Sequence, residues 1–205
     1  MTITTLRTAI LLTAAFVLTL AAEAQQLPLL RSAEVAVTYT TERAKIATLA
    51  CGCFWLQGGS AEGSVSLFRG LGAAILVTGN HSANIAAGTD LSKIAVMAGP
   101  RCNFSTSRWT ERLLKTSRPT AVFGEALFGR AHAFDSAFPS SSGTVSSASA
   151  LSMQFGGGVN LGLAKGFSLR AIELDYVRSS FPNFASNTQN DFRIAVGVSY
   201  HLGQH

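Results

Sequence analysis

At 205 residues the chain is long enough for one sizeable domain. Its mean hydropathy is +0.29, and only 13% of its residues are charged, against about 25% in soluble domains, which leaves too little charge to coat an ordinary water-facing surface. The net charge of +5 comes from scattered Lys and Arg and not from basic runs, which excludes a nucleic-acid footprint; the densest basic stretch holds Arg101, Arg108, Arg112, Lys115 and Arg118 against Glu111 alone.

The first segment reads as an address. Arg7 precedes the apolar stretch from Ala9 to Ala22, and Ala22-Glu23-Ala24 supplies the small-x-small pattern of a signal-peptidase site. The stretch is too short to span a bilayer comfortably, and Gln25, Gln26 and Pro28 follow it. A cleaved signal peptide at 1–24, a lead-in at 25–32 and a single domain at 33–203 are therefore expected.

Beyond residue 24 no apolar run reaches the roughly 18 residues of a membrane helix, yet the composition favours lipid. Only helices and closed barrels satisfy every backbone N–H and C=O in hydrocarbon, so the expectation is all-β: an eight-stranded antiparallel transmembrane up-and-down barrel. In chain order the strands are Glu34 to Thr41, Gln57 to Leu67, Gly72 to Ser82, Leu91 to Arg101, Pro119 to His132, Met153 to Leu163, Phe167 to Val177 and Phe192 to Leu202. In the second, Ala61, Val65 and Leu67 alternate with Ser60, Glu62, Ser64 and Ser66. In the sixth, Met153, Phe155, Val159, Leu161 and Leu163 oppose Gln154, Gly156, Gly158, Asn160 and Gly162. The last is the clearest: Phe192, Ile194, Val196, Val198, Tyr200 and Leu202 alternate with Arg193, Ala195, Gly197, Ser199 and His201, the period of two that separates lipid from lumen.

The connections sort by length. Arg69-Gly70 and Ala164-Lys165-Gly166 read as tight turns, whereas Glu42 to Trp55, Ala133 to Ala148 and Arg178 to Asn190 read as long outer loops, with Ser140 to Ser149 the low-complexity part. The segment from Cys102 to Arg118 reads as a basic excursion on the short-turn side, with a brief helix around Thr110 to Lys115. Tyr39, Trp55, Phe54, Phe181 and Phe184 sit at strand ends, where an interfacial aromatic girdle is expected.

These patterns together resemble the outer-membrane β-barrel proteins of the OmpA-like/porin superfamily, especially small barrels from acidobacteria-like genomes. The residues that carry the resemblance are Gly99-Pro100-Arg101, Phe123 to His132, Phe155-Gly156-Gly157-Gly158, Asp175-Tyr176 and the closing stretch from Gln189-Asn190 to Gly203. The resemblance implies location in the outer membrane of a Gram-negative bacterium, contact with outer-membrane lipid and lipopolysaccharide, and delivery by the barrel-assembly machinery. Members end in a strand whose final residue is aromatic; here Leu202 stands at that place, with Tyr200 two residues before it.

The alternation puts Glu34, Glu62, Glu125, Glu173, Asp175 and Arg193 in the lumen. A barrel this narrow is filled by side chains, so charges there are expected to pair as a structural network and not to catalyse. Catalytic, cofactor-binding and metal residues are expected to be none: Cys51-x-Cys53 lacks the second ligand pair of a zinc site. Cys102 falls at the opposite end of the barrel from Cys51 and Cys53, so no structural disulfide is expected. His81 and His132 fall at the outer rim, and His201 and His205 at the other end. A lipid-modifying rim enzyme would need a serine and a carboxylate beside one of the first two, and Ser82, next to His81, points to the opposite face. The expected role is a structural or surface-interaction barrel, monomeric, with a narrow pore or a rim enzyme as alternatives. The export reading predicts that mass spectrometry of the membrane-extracted protein finds Gln25 as the first residue; an intact Met1 there contradicts it.

Overall fold

The computed structural model describes residues 32–45, 52–68, 70–86, 89–105, 120–141, 143–164, 166–183 and 186–202. The signal peptide, most of the lead-in, Cys51, the expected helix around Thr110 to Lys115, Phe184 and His205 lie outside them. Eight strands run in chain order: β1 (Ser32–Lys45), β2 (Cys53–Phe68), β3 (Leu71–Ala86), β4 (Thr89–Ser105), β5 (Thr120–Ser140), β6 (Gly143–Ala164), β7 (Phe167–Ser179) and β8 (Gln189–Leu202). Each pairs antiparallel with the next, and β8 returns to β1, so the sheet closes as an up-and-down barrel. Closure gives every strand two partners and removes the sheet edges.

Burial alternates with the polarity that lipid requires. Along β8, Asp191, Arg193, Ala195 and Ser199 are buried, while Phe192, Val196, Val198 and Tyr200 are exposed. Along β1, Glu34, Thr38, Thr40 and Glu42 are buried, while Val37 and Tyr39 are exposed. Phe155 and Val196 stand on the outside at 40% and 44% exposure, whereas Arg101, Glu173 and Arg193 are fully buried. The barrel is thus inverted relative to a soluble one.

Aromatic side chains mark two levels of the outer surface. Cross-strand register links Trp55, Arg43, Phe192, Tyr176 and Phe155 from β2 through β1, β8 and β7 to β6, and Phe155 meets Phe128 of β5 edge to face at 5.5 Å. At the end where β1 begins and β8 finishes, Phe68, Phe104, Phe167 and Tyr200 are exposed. Phe192 and Tyr200 lie eight residues apart on β8, about 26 Å along the strand at roughly 3.3 Å per residue. At a strand tilt of about 40° that is about 20 Å along the barrel axis, close to the height of an outer-membrane apolar band.

Several strands run further than their hydrophobic alternation. β1 continues to Lys45 and β2 starts at Cys53, which shortens the expected first loop. Cys102 to Ser105 belong to β4 and not to a basic excursion. The largest correction is the expected loop from Ala133 to Ala148: β5 and β6 stay paired out to Ser140 and Gly143, so its serine-rich part is strand. Both faces of Gly143 to Ser147 are exposed, so no apolar period marks this stretch. An irregularity between Phe134 and Phe138, with Asp135 at φ 63°, bends the hairpin and tucks the Phe138 ring against Phe181 at 6.0 Å. Phe181 is therefore buried, and Phe54 turns to the same end of the interior; neither belongs to the outer girdle.

At the terminal end, Gly70 and Gly166 adopt φ of +85° and +84°, which L side chains avoid, and their carbonyls accept from the Asn103 and His201 N–H groups. Gly156 serves a different need. A Cβ on it would lie 2.1 Å from Asp175 Oδ1 and 2.3 Å from the Leu174 carbonyl oxygen. Gly156→Ala is therefore expected to lower unfolding stability by about 1–3 kcal/mol through overpacking, read from urea titration of the heat-modifiable gel band.

Candidate functional site

The interior polar groups form one connected network towards the terminal end of the barrel. β7 is bulged at Ala171: Arg170 pairs with Asn160 and Ile172 with Val159, and the β8 register skips from Arg170 to Glu173. A bulge places two successive residues on one face, so Ala171 and Ile172 both leave the lumen. Arg170 and Glu173, an odd three positions apart, then both point inward and meet at 2.8 Å.

Arg170 is the hub. It reaches Glu34 at 2.9 Å and Glu62 at 3.0 Å besides Glu173, and its Nε donates to Asn160 Oδ1 at 3.3 Å. Arg101, from β4, pairs with Glu62, with Glu34 at 3.4 Å and with Glu125 at 3.5 Å. Arg193, from β8, pairs with Glu173 and with Asp175 at 2.9 Å. Phe123 supplies an aromatic face: the Arg101 and Arg170 Cζ atoms lie 3.8 Å and 4.5 Å from its ring centroid, within the range of cation–π attraction. His201 Nε2 meets Glu34 Oε2 at 3.0 Å at the terminal mouth.

All six residues assigned to the lumen from sequence, Glu34, Glu62, Glu125, Glu173, Asp175 and Arg193, lie there and are buried. Two of the three arginines that pair with these carboxylates, Arg101 and Arg170, were not among them. Arg170 falls on the lipid face by simple alternation, and only the bulge turns it inward. Arg101 shares parity with Lys93, Ala95 and Met97, so its inward direction is readable from β4 once that strand is extended past residue 101. Glu42 and Lys93 form a second pair nearer the other end, with Asn80 Nδ2 donating to Glu42 Oε2 at 3.1 Å and Thr40 Oγ1 donating to Asn80 Oδ1 at 2.6 Å. The wall of β3 to β6 carries an apolar counterpart, in which Leu76, Met97 and Leu127 are fully buried.

Carboxylate oxygens of Glu62, Glu125 and Glu173 approach within 4.8 Å of one another, a spacing that suits a cation. Here Arg101 links Glu62 with Glu125, and Arg170 links Glu62 with Glu173, so guanidinium groups already hold positive charge among them.

The rim histidines do not form a nucleophilic triad with their neighbours. Ser92 Oγ lies 3.0 Å from His81 Nδ1 and donates to Asp135 Oδ2 at 3.0 Å, so the serine stands between histidine and acid, whereas a triad has the histidine between serine and acid. His132 Nδ1 lies 2.9 Å from Ser149 Oγ. His81, His132, Asp135 and Ser149 are exposed residues of the outer end, and Ser92 is half-buried. Cys53 pairs in register with Lys45 and Cys102 with Leu71, which sets the two thiols at opposite ends.

The architecture has solved counterparts. Neisserial surface protein A superposes with a TM-score of 0.57 at 13% identity, covering 82% of this chain and 96% of that one. Ail, the attachment invasion locus protein of Yersinia pestis, superposes in its complex with the heparin analogue sucrose octasulfate with a TM-score of 0.53 at 15% identity, covering 84% and 99%. The fold is that of small eight-stranded outer-membrane barrels. No protein-family model and no curated protein sequence matches the chain, and nothing links this outer-membrane-type barrel to acidobacteria-like genomes.

Arg170 gives the network a direct test. Arg170→Met leaves Glu34, Glu62 and Glu173 short of their shared cation, and removing one side of a buried ion pair costs about 3–5 kcal/mol. Denaturant titration in lipid vesicles is expected to show a loss of that size; a loss below about 1 kcal/mol would match an exposed pair instead.

Proposed function

We propose that the protein is a monomeric, non-enzymatic barrel of the bacterial outer membrane, exported by its signal peptide, with a structural or surface-interaction role. The observation that carries this reading is the inversion of polarity: buried ion pairs inside, and an aliphatic belt between aromatic levels outside. A surface of this kind is stable only against acyl chains. The end with the start of β1, the finish of β8 and the glycine turns faces the periplasm, and the projecting β5–β6 hairpin faces the exterior.

Arg43, Lys45, Arg130 and Arg178 are exposed towards the outer end of β1, β5 and β7. They stand where phosphate groups of outer-leaflet lipopolysaccharide would lie, which supports a lipid partner of that chemistry. Insertion would use the barrel-assembly machinery, with β8 as the closing strand. The surface role rests on the projecting hairpin and the rim, since the interior is occupied by its own side chains.

That occupancy also opposes the narrow-pore alternative: an eight-stranded interior is about wide enough for side chains alone. Fractionation is expected to place the protein with outer membranes as a heat-modifiable band, and planar bilayers are expected to show no steady conductance. Large, sustained openings, or recovery as a soluble monomer without detergent, would overturn the proposal.

A further inference from the structure

The outer surface of β1, β7 and β8 carries a cluster of cations without counter-charges. Arg43 pairs in register with Phe192, and Arg178 pairs with Asn190, two residues further out on β8. Lys45, two residues beyond Arg43 on the same face of β1, comes level with Asn190 at the rim of the mouth. All three cations and Asn190 are exposed, and β8 alone separates β1 from β7. Lys45 and Arg178 therefore flank Asn190 at one strand spacing each, about 4.8 Å, so their long side chains reach a common group above it.

Among the described residues no carboxylate pairs with these cations. Glu42 and Asp191, next in sequence to Arg43 and Asn190, are buried, while the exposed Asp90 and Asp135 belong to β4 and β5. The neighbouring connections at 46–51 and 184–185 contain no Asp or Glu. Asn190 adds a neutral donor: Tyr176 Oη donates to its Oδ1 at 2.6 Å, which orients the amide and leaves the Nδ2 hydrogens for another acceptor. The height is defined as well. Phe192 and Tyr176 belong to the outer aromatic level, and Asn190 lies two residues beyond Phe192, about 5 Å further along the axis at roughly 3.3 Å per residue and a tilt of about 40°. The cations thus stand just outside the apolar belt, at the depth of headgroup phosphates. Among the described residues this end holds no second such cluster: Arg130 is flanked in register by Val96 and Leu151, and the outward residues of β2 and β3 there are Trp55, Gln57 and His81.

We infer that this cluster binds one phosphate group of an outer-leaflet lipopolysaccharide, holding a single glycolipid at a fixed place on the barrel. The Arg43 and Arg178 guanidinium groups and the Lys45 ammonium donate to the phosphate oxygens, bonds that are strong because both partners are charged, and Asn190 Nδ2 donates to a further oxygen. The acyl chains then run down the belt over Phe192, Leu174 and Val196, all exposed. The inference rests on the outer-membrane reading above and narrows it from a general lipid contact to one site on β1, β7 and β8 that leaves Arg130 out.

The test mixes the full mature protein in detergent micelles with lipid A carrying both phosphates, with the same lipid stripped of them, and with phosphatidylglycerol, whose phosphodiester carries a single charge; native mass spectrometry counts the adducts. One phosphorylated lipid A per barrel is expected, bound at least about tenfold more tightly than either other lipid. Arg43→Gln combined with Arg178→Gln is expected to abolish that preference, and Arg130→Gln to leave it intact. Equal binding of the phosphorylated and stripped lipids, or of phosphatidylglycerol, overturns the inference, as do several equivalent adducts. A preference that survives the double substitution in a heat-modifiable barrel, or one lost in Arg130→Gln, overturns it too. Any of these results with a barrel that fractionates with outer membranes leaves the outer-membrane reading standing, whereas recovery as a soluble monomer overturns both.

Discussion

The structure depends on a set of ion pairs buried where water cannot reach them. Arg101, Arg170 and Arg193 share five carboxylates, Glu34, Glu62, Glu125, Glu173 and Asp175. Desolvating so many charges is unfavourable, and only good geometry with further hydrogen bonds offsets it. Asn160 and Gln154 supply such bonds, Asn160 to Glu34 at 2.9 Å and Gln154 to Glu125 at 3.4 Å. The contributing strands are β1, β2, β4, β5, β6, β7 and β8, so the network ties together chain segments far apart in sequence. It fills the tube, and it works only with the sheet closed around it.

Small residues make room for this filling. Gly156 and Gly158 stand on the lumen face of β6, opposite Asp175 and Glu173 in register; a Cβ on Gly158 would come within 2.9 Å of the Phe123 ring, the same ring that the Arg101 and Arg170 guanidinium groups approach. Glycine in a strand interior weakens it intrinsically. Here it lets an aromatic ring and two guanidinium groups occupy one level of a narrow barrel. Along β3, β4 and β5, Leu76, Met97 and Leu127 complete the packing, and the ring pair Phe138–Phe181 covers the outer end.

The strand count, the closed antiparallel order and the lumen side of the six charged positions were legible in the sequence, because period-two alternation survives wherever one face meets lipid. Phe192 to Leu202 shows it without interruption. Legibility ended where that contrast ended. Gly143 to Ser147 is exposed on both faces, so it read as loop; Phe181, assigned to a girdle from its place near a strand end, is drawn inward by Phe138. Arg170 was missed because a bulge at Ala171 shifts the parity of β7, and no residue type there announces it. Glu42 and Asp191 lay just beyond the assumed strand ends, which hid the second polar group, around Lys93.

The claim on which the account rests is the direction of the two faces, and spin-label accessibility measures it most directly. With Cys51, Cys53 and Cys102 replaced by serine, single nitroxides at Val37, Ile75, Val196 and Val198 in lipid vesicles are predicted to be readily relaxed by oxygen and barely by a polar nickel chelate. Labels that are immobile and shielded from both reagents would mean that these side chains form a packed interior, and would contradict the account.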